Sequence, residues 1–261
     1  MDRIQKAIEV ARAQRSSQPP VGSFERPASP DKHPLQVMYT RTRVIEVPAQ
    51  TWRDKRVVLG NGDDVATRAY KMLRTQVLQR LNEKRWNALA IVSPGEGEGK
   101  SLTAVNLALS LAREVRHTVL LVDLNLRQPT LHRFFGYEPE HGLSDYLANG
   151  TPLADILFNP AIERLVVLPG GKPMADSSEA LSSPRLTQLV EELKRRYPSR
   201  IVLFDLPPLL TTDDALVFSP YVDGALLVLE DGKTRREDIA RALDLLKTTP
   251  VLGAVLNKAQ H

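Results

Sequence analysis

Cysteine is absent from all 261 residues. That excludes a disulfide framework and any thiolate metal site, and it suits a reducing compartment. Long apolar runs are absent too, and none approaches the roughly 18 to 20 residues of a helical membrane span. Charges are scattered through Met1 to Ala13, which does not fit the ordered regions of a secretion signal. The protein is expected in the cytosol, or peripherally at the inner face of the cell membrane.

Hydrophobic residues make up 42% of the chain, enough for one sizeable core or a core with an appendage. The net charge of +4 is unevenly spread. Residues 1–86 carry 17 Lys and Arg against 9 Asp and Glu, a net of +8, and residues 87–261 carry 18 against 22, a net of −4. A basic first third beside an acidic body points to a negative partner. Anionic lipid, an acidic subunit face and nucleic acid all fit, as does ordinary solubility charge.

Three segments emerge from pattern. Ile4, Ala7, Ile8 and Ala11 share one helical face, so residues 1–15 read as a short docking helix. It is too short to stand alone in water. Residues 16–50 read as a linker: Pro19, Pro20, Pro27, Pro30 and Pro34 break any helix in its first half, and 37–47 is extended or a single strand. Residues 51–261 form the main domain. It opens with a helix capped at Asp63 or Asp64 and running to about Asn82, on which Arg68, Lys71 and Arg74 form a basic stripe.

The domain then alternates strand and helix. Strands are expected at 88–93, 118–122, 164–168, 201–205, 225–229 and 252–256. Helices are expected at 100–113, 184–197 and 234–247, with shorter ones near 130–135, 142–148, 152–157 and 214–218. Runs such as Thr118-Val119-Leu120-Leu121-Val122 suit strands buried on both faces. The fold class is therefore α/β, a mostly parallel sheet wrapped by helices, with ligand at the carboxyl ends of the strands.

The chemistry lies in the residues just past those strand ends. After 88–93 comes Pro94-Gly95-Glu96-Gly97-Glu98-Gly99-Lys100-Ser101-Leu102. Strand, glycine-rich loop and helix are the context of a phosphate-binding loop. Its amides make an anion nest, Lys100 reaches phosphate and Ser101 suits Mg²⁺. The strict motif has Gly where this chain has Pro94. After 118–122 comes Asp123-Leu124-Asn125-Leu126-Arg127, and after 201–204 comes Asp205-Leu206-Pro207-Pro208. A lysine and two aspartates at one sheet edge are the set that a nucleotide–Mg²⁺ site needs.

At these residues the chain resembles the bacterial tyrosine kinases, in the stand-alone cytoplasmic form of exopolysaccharide biosynthesis clusters. They are part of the P-loop NTPase superfamily that includes Min- and Par-type ATPases. Gly97-Glu98-Gly99-Lys100-Ser101 is similar to Walker A, Leu120-Leu121-Val122-Asp123 through Arg127-Gln128-Pro129 to the A′ motif, and Val202-Leu203-Phe204-Asp205-Leu206-Pro207-Pro208 to Walker B. Gly142 to Leu147, Ser182-Ser183-Pro184, Val222-Asp223-Gly224 and Gly253 to Lys258 resemble further family blocks.

The resemblance implies ATP and Mg²⁺ as cofactors and a protein tyrosine as acceptor. It implies that Gly95 to Leu102 bind the nucleotide, that Lys100 holds phosphate, and that Arg127 sits beside the phosphates. It makes Asp123 the proton acceptor, places Mg²⁺ near Ser101, Asp205 and Asn125, and sets Asn257 near the base. It implies a membrane polysaccharide co-polymerase (chain-length protein) as partner, and a homo-oligomer; nucleic acid is not expected.

Three positions depart from the family pattern. Asn125 replaces the second Asp of the A′ motif. Arg68, Lys71 and Arg74 stand where the ring-forming helix motif has Glu, Arg and Arg. None of the six tyrosines, the last being Tyr221, lies in the final forty residues where acceptor tyrosines are expected. Against the kinase stand two rivals, a catalytically weak ATP-dependent switch on a co-polymerase and a partition-type ATPase.

Overall fold

The computed structural model of the chain describes residues 42–60, 62–197 and 199–259. The docking helix and most of the linker lie outside the described residues. Eight strands form one sheet: β1 Arg43–Val44, β2 Ala88–Val92, β3 Thr118–Asp123, β4 Phe158–Asn159, β5 Leu165–Leu168, β6 Arg200–Asp205, β7 Gly224–Glu230 and β8 Val251–Asn257. Their order across the sheet is β1-β4-β5-β3-β6-β2-β7-β8. Only β4 against β5 is antiparallel.

All six expected strands are present, within a residue or so at each end. The two-residue strand β1 falls within 37–47, expected to be extended or a single strand; the two-residue β4 was not expected, because it is too short to show a period. Within the segment read as linker, Ile45 and Val47 pack on the core, and Ile45 N–H donates to the Asn159 carbonyl at 2.8 Å.

The helices are α1 Ala49–Asp54, α2 Val65–Lys84, α3 Lys100–Ala112, α4 Leu143–Asn149, α5 Leu153–Ile156, α6 Ser177–Leu181, α7 Pro184–Arg195, α8 Asp214–Phe218 and α9 Arg236–Leu245. The segment expected as a helix near 130–135 is a 3-10 turn, Leu131–Phe135. Local chemistry accounts for the helix starts. Asp64 caps α2, accepting the Thr67 N–H at 2.9 Å and its hydroxyl at 2.6 Å. Ser183 caps α7 with Pro184 in its first turn, and Leu186, Leu189, Val190 and Leu193 turn inward.

Alternating side chains of the strands feed two cores, one on each face of the sheet. On one face, Leu89, Ile91, Leu121 and Leu203 pack with α2, α3 and Trp52. On the other, Ala90, Val122 and Phe204 pack with α4, α7 and α8. Helix α3 is buried along almost its whole length, between sheet and α2, and its small residues allow that close approach. Its Asn106 is buried and accepts the Val58 N–H at 2.8 Å, which ties the segment before α2 to the helix. The stripe on α2 is partly absorbed into the fold: Arg74 donates to the Ser110 carbonyl at 3.3 Å.

Candidate functional site

The parallel topology brings the carboxyl ends of β2, β3 and β6 side by side. The loop after β2 runs along this edge and enters α3 at Lys100. Its Gly97 and Gly99 have φ of +74° and +89°, left-handed backbone that favours glycine. Pro94, where the strict motif has glycine, is not in that region. Its carbonyl accepts the Leu210 N–H at 3.1 Å, linking the loop to the segment after β6.

Lys100 is buried and reaches to Asp205 at the end of β6, Nζ to Oδ1 at 2.6 Å, and lies 3.3 Å from the Ser101 hydroxyl. The second oxygen of Asp205 is buried with no hydrogen-bond partner. Asp123 is the register partner of Asp205 on β3. Its carboxyl is fully buried, accepting Asn125 N–H at 3.1 Å and Thr130 and Leu131 N–H at 3.0 Å each. Burial foremost, and the neighbouring Asp205 charge second, push its pKa up to about 7. The Leu131 N–H, Lys100 and the Asn125 N–H pull it the other way.

A cleft of about 490 Å³ opens beside this cluster, lined by Gly95 to Leu102, Asn125, Arg127, Thr130, Arg133 and Pro207 among others. The expected loop residues and Asn125 therefore meet in one cavity. Two expected residues are differently engaged. Arg127 lines the cleft, but its guanidinium is held by the fully buried Asp214 at 3.3 Å and by the Ala175 carbonyl at 3.2 Å. Asn257 lies against the loop itself, its Nδ2 donating to the Glu98 carbonyl at 2.9 Å.

The donor set fits Mg-nucleotide. The loop offers glycine amides and a helix N-terminus for phosphate. Asp205 has one unused buried oxygen, while its other oxygen pairs with Lys100. Among the described residues no group of three or more His, Cys, Asp and Glu could hold a metal ion by itself.

Sequence reasoning missed Asp214, Ser177, Ser178, Thr234 and Lys258. Ser177 and Ser178 hydroxyls donate to Asp214 at 2.6 and 2.7 Å, completing the support of Arg127. Thr234 and Lys258 contact the phosphate loop. Thr234 was findable: it comes after strand β7 as Asp123 ends β3, and the same question asked of that strand end leads to it. Nothing local marks Asp214, which reads as an ordinary helix-start acid.

The fold and this loop define the class, a P-loop nucleotide-binding α/β domain. The CobQ/CobB/MinD/ParA nucleotide binding domain family matches residues 89–261. Tyrosine-protein kinase YwqD of Bacillus subtilis is 34% identical over 190 residues, covering 72% of this chain and 79% of YwqD. Tyrosine-protein kinase CpsD of Streptococcus agalactiae is 31% identical, covering 74% of this chain and 83% of CpsD. The kinase domain of Escherichia coli tyrosine kinase ETK superposes with a TM-score of 0.73 at 28% identity, over 84% of this chain and 89% of that domain. This chain belongs to the bacterial tyrosine-protein kinase family. Among the described residues no helix is long and apolar enough to cross a membrane.

Proposed function

We propose that the chain binds Mg-ATP in this cleft and transfers its γ-phosphoryl group to a protein tyrosine, in the control of exopolysaccharide synthesis or export. The observation that carries the reading is the buried Lys100–Asp205 pair beside Asp123 at the mouth of a glycine loop. When bound, Mg-ATP supplies the phosphoryl group and the metal's charge. The chain supplies position and a proton acceptor, which is most of what phosphoryl transfer asks of a protein. Lys100 and the loop amides hold phosphate, while Ser101, Asp205 and Asn125 are the oxygen donors toward Mg²⁺. Asp123 takes the tyrosine proton; a carboxyl poised near pH 7 is matched to that role. Arg127, held by Asp214, keeps the 175–178 segment against the cleft. We infer that residues 1–34 dock to a membrane polysaccharide co-polymerase.

Incubation with γ-labelled ATP and Mg²⁺, followed by mass spectrometry for phosphotyrosine and a phosphate-release assay, tests the reading. Lys100→Met, which replaces the ammonium by an apolar end, is expected to lose Mg-ATP binding and turnover at least a hundredfold. Its own melting transition reports whether it is folded. A folded Lys100→Met with wild-type turnover would remove the site assignment. Asn125, one carboxylate short of the family pattern, favours a second reading, an ATP-dependent switch that releases phosphate without labelling tyrosine.

A further inference from the structure

The phosphate loop is gripped from outside the cleft as well as shaped from within. Glu98 is only 5% exposed, although it sits in a surface loop. One carboxylate oxygen accepts the Gly95 N–H at 3.1 Å and the other accepts the Thr234 hydroxyl at 2.6 Å. That hydroxyl also accepts the Glu230 N–H at 2.8 Å, so its single proton is committed to Glu98. Asn257 donates to the Glu98 carbonyl at 2.9 Å. Lys258 donates to the Gly97 carbonyl at 2.8 Å while pairing with Glu230 at 3.0 Å. Residues 95, 97 and 98 are thus tied to the turn after β7 and the end of β8. The Gly95 amide, one of those a glycine loop would offer to phosphate, is spent on an internal carboxylate.

We propose that the side chains of Glu98 and Thr234 are positioning groups that hold the phosphate loop in its nucleotide-receiving shape without themselves touching the nucleotide. The inference rests on the nucleotide site proposed above. A carboxylate suits the task because it has two acceptor oxygens for two donors. Gln offers one oxygen, so Glu98→Gln keeps the Gly95 bond and leaves the Thr234 proton unpaired, and Ala keeps neither. Thr234→Val removes the hydroxyl at nearly constant volume, and Thr234→Ser retains it.

The experiment measures the Kd for Mg-ADP, hydrogen exchange of residues 93–101 in nucleotide-free protein, and the split between kcat and KM. Thr234→Val and Glu98→Ala are expected to weaken Mg-ADP binding about tenfold or more and to speed exchange in that segment. KM should rise with little change in kcat, because loop shape serves ground and transition states alike. Thr234→Ser should restore wild-type values, Glu98→Gln should fall between, and the double variant should be no weaker than Glu98→Ala alone. If Glu98→Ala fails to fold, Thr234→Val against Thr234→Ser decides the question. Wild-type affinity and exchange in Thr234→Val, or effects that multiply in the double variant, overturn the inference. A wild-type chain that binds no Mg-ADP overturns the site reading beneath it, which is a distinguishable result.

Discussion

Asp123 is fully buried, and that has a consequence for stability. Its folded pKa is raised to about 7, whereas an unfolded aspartate ionises near 3.8. Between those values the folded state binds the proton and the unfolded state does not. Stability from this group is therefore fully present below about pH 4 and is lost as pH rises through 7, at a slope of up to roughly 1.4 kcal/mol per pH unit. Asp123→Asn should flatten that part of the profile in urea unfolding at pH 5, 6, 7 and 8, and should cut phosphoryl transfer. An unchanged slope would mean that Asp123 is ionised throughout. Asn125, two residues on, lines the cleft while its N–H bonds the Asp123 carboxyl. Asn125→Asp adds a carboxylate near Asp123 and Asp205, so melting without Mg²⁺ should fall. With Mg²⁺ the extra hard oxygen should raise metal affinity. Turnover against Mg²⁺ concentration and melting with and without Mg-ATP measure both; a variant equal to wild type in all would show side chain 125 irrelevant to the metal.

At the scale of elements, the cleft wall depends on one buried acid. Asp214 at the start of α8 joins Arg127 from the loop after β3 to Ser177 and Ser178 of α6. Asp214→Ala leaves the Ser177 hydroxyl without its acceptor and takes one acceptor each from Arg127 and Ser178, which keep the Ala175 carbonyl and Asp213. Because the Arg127 side chain is 39% exposed, water takes up part of that loss. A cost of about 2 to 4 kcal/mol is expected in denaturant unfolding, below the figure for a wholly buried pair. A cost under about 0.5 kcal/mol would show that the cluster does not hold α6 and α8 together. Asp223 does comparable work at the opposite edge, accepting Asn87 and Ala88 N–H at 2.9 Å each and pairing with Lys194 at 2.6 Å. The Val222-Asp223-Gly224 block is therefore explained by strand anchoring and not by nucleotide chemistry.

For the whole molecule, the proposed docking and the proposed catalysis fall on different segments. Described residues from Lys55 to Thr212 line the cleft, while the first 34 residues are Pro-rich with a net charge of +2. Deleting residues 1–34 should leave Mg-ATP affinity within about twofold of wild type and release the protein from membrane fractions, because the described lining of the cleft runs from Lys55 to Thr212. Cell fractionation beside a binding titration checks both halves, and unchanged membrane recovery would argue against docking through this segment.

Much of this protein is legible in sequence alone. Six strands, five of them buried, the long helices, the glycine loop and the aspartates at strand ends are marked by apolar runs and by the residues directly after them, which are local signals. Residue identity also placed Lys100, Asp123 and Asp205 at one sheet edge, because a parallel sheet puts successive strand ends there. The structure alone decided how those side chains act on one another. Strand order made Asp123 and Asp205 neighbours, and burial raised the Asp123 pKa. Folding turned Arg127 toward Asp214, and it laid Glu98 across the loop against Thr234, 136 positions away in the chain. Strands β1 and β4 exist only because their sheet neighbours complete them. Hydrogen bonds over such separations leave no periodic trace, so only the packed molecule determines them.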